Sequence, residues 1–339
     1  MAGRHPRPPP MKRLISIVVP AYNEELVLHR FREALAPELL AQPDYDFEII
    51  IVNDGSSDRT QQVIEELHRE DARYGGIDLS RNFGKEIAMT AGLDHARGDA
   101  VVVIDADLQD PPSLIHEFIA QWNSGYDVVY ARRTHRDAES WLKKATAKYF
   151  YKLIGAVSDV EIPANTGDYR LMSRRAVDGL LQLRERHRFM KGLFAWIGFP
   201  AKAIDYRRKP RVAGTTKFNY WRLWNFALEG ITSFTSAPLK LATYLGFCIA
   251  AVAFVAGVWI IIKTLLWGER IAGYPTLIVS MLFLGGVQIF FIGVLGEYLG
   301  RIYNETKHRP LYLVKKQLVP QPLGAAPDPL AGGAAAPPR

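Results

Sequence analysis

AVVVIDADLQDPP, residues 100–112, is the stretch on which the fold turns. The aliphatic run Val101 to Ile104 is too short for a helix and does not alternate with polar residues. It therefore reads as a strand buried on both faces, as in a parallel sheet covered by helices. In such sheets ligands sit beyond the carboxyl ends of the strands. The residues that follow at once are Asp105, Asp107 and Gln109, so chemistry is expected there. Two carboxylates and an amide oxygen suit a hard divalent ion, Mg²⁺ or Mn²⁺, bridging a diphosphate. An acidic pair after a strand is common, and alone it does not name a metal.

Outward from this stretch, the chain from Leu14 to about Gly155 alternates short β-branched runs with longer helical stretches. The strand candidates are Ile15 to Pro20, Phe47 to Val52, Gly76 to Leu79 and Asp127 to Ala131, with Ala100 to Ile104 between the last two. The repeat is βαβ, an α/β domain. The first strand ends in Pro20-Ala21-Tyr22-Asn23-Glu24-Glu25 and the second in Asn53-Asp54-Gly55-Ser56-Ser57-Asp58. An aromatic ring and a carboxylate at neighbouring strand ends could stack on and hydrogen-bond a nucleobase. The second segment serves equally well as a turn followed by a helix cap.

Beyond the domain the composition changes. Leu241 to Ile262 is a run of 22 residues without a charge, and Tyr274 to Gly296 repeats the feature over 23. Each is long enough to cross a bilayer, at ~1.5 Å per residue. Lys and Arg cluster before the first run and after the second, which places both flanks in the cytoplasm. Tyr220, Trp221, Leu223, Trp224, Ala227, Leu228 and Ile231 recur at helical spacing, as in an amphipathic helix lying on a membrane surface or packed on the domain. The net charge of +7 points to anionic partners such as phosphates or acidic headgroups. The single cysteine, Cys248, allows no intramolecular disulfide and no cysteine-rich metal site.

The boundaries expected are a disordered 1–12, a catalytic domain over 13–218, an interfacial helix over 219–238, a transmembrane hairpin over 239–300 and a tail over 301–339, disordered after about 319. Leu14 to Pro20 leads into acidic residues rather than a cleavage site, so no signal peptide is expected.

The series SIVVPAYNEE, EIIIVNDGSSDRT, LSRNFGKEIAMTAGL and DADLQDPP resembles family 2 glycosyltransferases, with their GT-A, Rossmann-like nucleotide-sugar-binding fold. GDYRLMSRRAV, RHRFMKGLFAWIGF and RVAGTTKFNYWRL narrow the resemblance to the polyprenyl-phosphate branch, the group of dolichyl-phosphate mannose synthase and bacterial GtrB-like enzymes. It covers about residues 14 to 310. The resemblance implies that Pro20, Tyr22, Glu24 and Asp54 contact the nucleotide, with Asp54 receiving an N–H of the base. It implies that Lys85 approaches the diphosphate, and that Asp105, Asp107 and Gln109 hold the metal. Arg133, Arg136 and Lys144 would hold the acceptor phosphate, helped by a closing basic loop with Arg208, Arg211 and Lys217. Arg170 is a candidate either to neutralise the phosphate or merely to pair with Asp168.

Asp168 is the natural candidate for a base in an inverting transfer. The demand is low, because a phosphate monoester with a second pKa near ~6 is mostly dianionic at neutral pH. Orienting the sugar, the acceptor or the metal is thus the expected role of Asp168, with proton removal the lesser alternative. The reading as a whole is a membrane enzyme moving a monosaccharide, UDP-glucose being the first donor and GDP-mannose the second, onto polyprenyl phosphate at the inner membrane. It is multi-pass, with domain and termini cytoplasmic; homo-oligomers are compatible, and nucleic acid is not a partner. Its rivals are a non-catalytic membrane protein that kept the fold and a glycosyltransferase with another acceptor. A processive synthase would carry a Gln-x-x-Arg-Trp motif that is missing, and a P-loop hydrolase its Gly-x4-Gly-Lys-Ser/Thr.

Overall fold

The structure, a computed structural model, describes residues 12–134, 166–186, 188–206 and 273–321, with isolated positions between 244 and 266. The expected interfacial helix and most of the first expected span lie outside the described residues. So do Arg136, Lys144, Arg208, Arg211 and Lys217. The chain divides into two compact units, one of Met1–Lys148, Ile162–Asn219 and Pro310–Arg339, the other of Tyr149–Glu161 and Tyr220–Arg309.

In the first unit, strands β1 (Arg13–Ala21), β2 (Tyr45–Asn53), β3 (Tyr74–Leu79), β4 (Ala100–Val103), β5 (Val128–Arg133), β6 (Thr166–Ser173), β7 (Ala201–Tyr206) and β8 (Val314–Leu318) form one sheet. Their order is β7-β5-β6-β4-β1-β2-β3-β8. The helices are α1 (Leu28–Leu40), α2 (Thr60–Glu70), α3 (Lys85–His95), α4 (Leu114–Asn123), α5 (Arg174–Leu181) and α6 (Met190–Trp196). Ile15, Ile17, Val18 and Val19 of β1 and Val101 to Val103 of β4 are wholly buried, which is why these runs do not alternate. Helices supply the cover with one apolar face each, Val63, Ile64 and Leu67 in α2 and Ile115, Phe118, Ile119 and Trp122 in α4.

β4, β1, β2 and β3 run parallel, as the βαβ reading expects. The sheet as a whole is mixed, because β6 lies antiparallel between β4 and β5, and β8 antiparallel along β3. After β3 the chain crosses back over β1 to form β4 on its other side. The crevice at that reversal, between the carboxyl ends of β1 and β4, is where a doubly wound sheet offers a ligand site. Helix α3 carries the crossing and packs close to the sheet. A Cβ on Gly92 would stand 2.3 Å from Val18 Cγ1, so only glycine permits this approach.

β8 was not anticipated from the sequence. It returns to the far edge of the sheet, where Pro320 Cδ lies 2.4 Å from the point at which Gly75 would carry a Cβ. Its end is tied inward: Arg97 Nη2 donates to the Pro320 carbonyl at 2.6 Å and to the wholly buried Glu48 at 2.7 Å.

In the second unit, helix α7 (Tyr274–Thr306) has 33 residues and begins where the second apolar run was expected. Within it Phe283–Thr306 is, among the described residues, the one helical segment long and apolar enough to cross a membrane. Its large side chains Phe283, Ile289, Phe290, Ile292 and Leu299 are uncovered.

Candidate active site

A cleft of about 290 Å³ opens at the carboxyl ends of β1, β2 and β4. Pro20, Ala21, Tyr22 and Glu24 line it after β1, Asp54 after β2, Asn82, Gly84 and Lys85 at the start of α3, and Asp105 and Asp107 after β4. Tyr22 is 49% exposed, a ring free to receive a flat ligand.

The loops behind this wall are sewn together. Asn23 N–H donates to Ser56 Oγ at 2.9 Å, and Ser57 N–H donates to Asn23 Oδ1 at 2.9 Å. Ser56 N–H closes a turn on Asn53 Oδ1 at 3.1 Å, the structural role open to this segment from its sequence. Gly55, at φ 64°, sits so close to Arg81 that a Cβ would come within 2.3 Å of its carbonyl carbon. Asp54 is nearly inaccessible, and both its oxygens are engaged: Phe83 N–H donates to one at 2.7 Å and Gly84 N–H to the other at 2.9 Å. Burial pushes the Asp54 carboxyl up, and the two amides only partly oppose it. Asp54 thus anchors the Asn82–Gly84 turn, a task the motif reading did not assign.

Asp105 meets its partner through register. β4 and β6 pair Val103 with Arg170, so two residues further on Asp105 faces Asp168. Lys85 Nζ lies between them, 2.7 Å and 2.8 Å from the two oxygens of Asp105 and 2.6 Å from Asp168 Oδ2. Burial by itself would lower the lysine pKa; Asp105 and Asp168 outweigh it and raise it, so Lys85 is an ammonium. Burial likewise pushes Asp105 up against the pull of Lys85. For Asp168 the balance is reversed: despite burial, Lys85 holds it below the usual carboxylate range. Glu86 behind them is raised to about 7 by burial and by the Asp168 charge. Lys191 of α6 also feels Asp168 and Glu86, although burial lowers its pKa overall. Glu86 and Lys191 were passed over in the sequence, although FGKE and RFMKG contain them.

In the loop after β4, Leu108 adopts φ 55°, a left-handed conformation unusual for a leucine. It turns the chain between Asp107 and Gln109, whose N–H donates to Asp107 Oδ1 at 3.1 Å. Gln109 is buried and does not line the cleft, unlike the two aspartates. No group of three or more His, Cys, Asp and Glu converges among the described residues. The protein's oxygen set is therefore a carboxylate pair, which fits an ion such as Mg²⁺ that takes one or two carboxylates and completes its shell with substrate phosphate and water.

Arg133 ends β5 beside Gly167. Its Nε donates to Tyr206 Oη at 3.1 Å, and Tyr206 in turn donates to Asp110. One chain of bonds thus joins the acidic loop after β4 to Arg133 and to the end of β7. Arg170 is a correction to the acceptor-phosphate set. It is buried, donates through Nη2 to the Gly167 carbonyl at 2.9 Å, and its guanidinium lies 3.5 Å from the Phe194 ring centroid. Burial lowers its pKa to about 10. It props the turn that presents Asp168 and does not line the cleft.

The chain matches the family model "Glycosyl transferase family 2" over residues 16–181 and "GtrB C-terminal hairpin" over residues 237–302. It is 52% identical over 301 residues to an uncharacterized glycosyltransferase from Synechocystis sp., covering 88% of this chain and 94% of that one. It is 49% identical over 303 residues to the bactoprenol glucosyl transferase of Shigella phage SfV, covering 89% of this chain and 98% of the relative. Among solved structures, glucosyl-3-phosphoglycerate synthase from Mycobacterium tuberculosis is similar with a TM-score of 0.45 and 18% identity, covering 65% of this chain and 78% of that one.

Proposed function

The chain belongs to glycosyl transferase family 2, and from that premise we propose that it transfers glucose from UDP-glucose to a polyprenyl phosphate such as bactoprenol phosphate, with inversion, at the inner face of a membrane. The observation that carries the reading is the meeting of Asp105, Asp107 and Lys85 in one cleft at the reversal of the sheet, with Asp168 paired to Lys85 beside it. The name of the phage relative favours glucose and a bactoprenol acceptor.

Asp105 and Asp107 would hold a divalent ion, which when bound offsets the negative charge of the departing diphosphate. Tyr22, Glu24 and Asp54 form the wall for the base and ribose, and Lys85 offers its ammonium to the diphosphate. Arg133, fixed by Tyr206, receives the acceptor phosphate. A phosphate oxygen attacks the anomeric carbon, the bond from that carbon to the diphosphate oxygen breaks, and the nucleoside diphosphate leaves. The attacking phosphate is mostly dianionic at neutral pH and surrenders no proton. Asp168, kept anionic by Lys85, therefore orients rather than deprotonates.

The membrane part of the reading draws on connectivity. The chain leaves the first unit after Asn219 and rejoins it at Pro310, where β8 pairs with β3. Any passage through a bilayer in between must cross an even number of times, which supports two spans, over 241–262 and 274–296. α7, at ~50 Å by its 33 residues, exceeds a bilayer core, and its charged residues Glu297, Arg301 and Glu305 gather in its last turns.

The test is to incubate the purified chain in detergent with undecaprenyl phosphate, Mg²⁺ or Mn²⁺ and labelled nucleotide-sugars, with Asp107→Asn in parallel, and to count label in the lipid phase. Label from UDP-glucose that disappears in the variant is the expected result. Tight nucleotide-sugar binding without lipid labelling by any donor would sink the acceptor assignment.

A further inference from the structure

Lys85 is placed where a second cation is expected to go. Its ammonium grips both oxygens of Asp105 and one of Asp168, three contacts between 2.6 and 2.8 Å. The carboxylates are the fixed partners, with side chains 23% and 13% exposed, whereas the lysine is 43% exposed at the mouth of the cleft. Lys85 is also the first residue of α3, where the helix dipole disfavours a positive charge. A stem of four methylenes lets the ammonium swing by several ångströms while its backbone stays anchored through Gly84 to Asp54.

We infer that Lys85 is an internal counter-ion that occupies the Asp105 carboxylate until a nucleoside diphosphate draws it away, so that the donor opens the site for the divalent ion. The inference rests on the reading of Asp105 and Asp107 as metal ligands. An ammonium held by both oxygens of Asp105 competes with a divalent ion for that carboxylate. Metal binding alone must break the Lys85–Asp105 contact and leave the lysine on Asp168 alone. When a diphosphate is present, the released ammonium gains phosphate oxygens in exchange. Metal and diphosphate consequently bind cooperatively, and the lysine is the element that couples them. A purely structural ion pair would give no such coupling, because its cation would have no alternative partner within reach.

The experiment follows free Mn²⁺ by its electron paramagnetic resonance signal as it is titrated with full-length protein in detergent, without and with UDP. Wild type, Lys85→Met, Lys85→Gln and Asp105→Asn are compared, with thermal unfolding confirming that each variant is folded. Lys85→Met is expected to bind Mn²⁺ in the absence of UDP on the order of tenfold tighter than wild type, since a neighbouring opposite charge shifts a carboxylate's affinity for a competing cation by about that much or more. UDP is expected to tighten Mn²⁺ binding by a larger factor in wild type than in Lys85→Met. Lys85→Gln gives the same readout should the methionine variant not fold. Unchanged or weaker Mn²⁺ binding by the neutral variants without UDP overturns the inference. If wild type still binds Mn²⁺ through Asp105, that result leaves the metal reading standing. If no form binds Mn²⁺ even with UDP, the metal reading falls and the inference falls with it.

Discussion

Asp54→Asn separates what the structure assigns to this residue from what its motif implies. Each Asp54 oxygen accepts one backbone N–H, from Phe83 at 2.7 Å and Gly84 at 2.9 Å. An asparagine retains one acceptor and turns an NH₂ group toward the other amide, so one charge-assisted bond of ~1.5–3 kcal/mol is lost and a nearly buried N–H is stranded at ~1–3 kcal/mol. Against this, the variant no longer buries a charge, and that burial outweighs the two amides enough to hold Asp54 above the ordinary carboxylate range. The net is a destabilisation of about 2 kcal/mol, or about 4–8 °C in Tm for a domain of this size. Unfolding followed by intrinsic fluorescence in detergent, with no nucleotide present, measures it. UDP affinity should fall in the same variant, because the Asn82–Gly84 turn lines the cleft. A ligand-free Tm within about 1 °C of wild type, together with weakened UDP binding, would refute the anchoring role and return Asp54 to base recognition alone.

Three further outcomes follow from the same contacts. Tyr206→Phe removes the hydroxyl that links Arg133 to Asp110, and is expected to raise KM for the lipid phosphate about tenfold while UDP affinity stays put; equal losses for both substrates would contradict it. Glu86, at about 7 in the fold against an ordinary 4.5, binds its proton more tightly folded than unfolded, so stability is highest below about 4.5 and declines as pH rises toward 7. Glu86→Gln is thus expected to stabilise the fold at pH 8, on the order of 3 kcal/mol, and to change little at pH 4.5, as read by paired thermal scans. Termination after Arg309 deletes β8, bares the edge of β3 and is expected to lower Tm by several degrees and promote aggregation, whereas termination after Gln321 keeps the strand and leaves both unchanged, as size-exclusion chromatography will report.

The parts of the fold that could be read from the sequence are those whose signals are local. β1, β2 and β4 announce themselves because burial on both faces demands runs of Ile and Val, and Tyr22, Glu24, Asp54, Asp105 and Asp107 after them line the cleft. β6 and β7 are less visible. TGDYRLMS and AKAIDY mix charges with apolar residues, because Arg170 is satisfied by carbonyls and Phe194, and β7 is an edge strand with alternate residues in water. β8, VKKQL, is polar and short, as protected edges are, and its partner lies more than two hundred residues away in the chain. The same distinction holds within the site. Asp105 and Asp107 are legible from one segment, but that Lys85 bridges Asp105 to Asp168 depends on the register of β4 with β6, which no single window of sequence contains.

The cleft has an electrostatic peculiarity that makes those non-local contacts matter. Its wall carries Glu24, Asp54, Asp105 and Asp107, with Asp168 beside them, yet the proposed ligand is itself a dianionic diphosphate. Two like charges ~5 Å apart repel by ~3 kcal/mol at an effective dielectric of 20, and several such pairs would erase the binding gained from stacking and ribose contacts. The carboxylates become useful only as holders of cations. One of those cations is covalent, Lys85, which the counter-ion proposal sets in motion; another, Arg133, is tied through Tyr206 to the loop that bears the aspartates. If Lys85 moves as proposed, the cleft would reject free phosphates and stray divalent ions separately and admit them together. Such selectivity would suit the proposed transfer to a lipid phosphate, and it would give the acids and the lysine between them a reason to stand at the cleft rather than in the core.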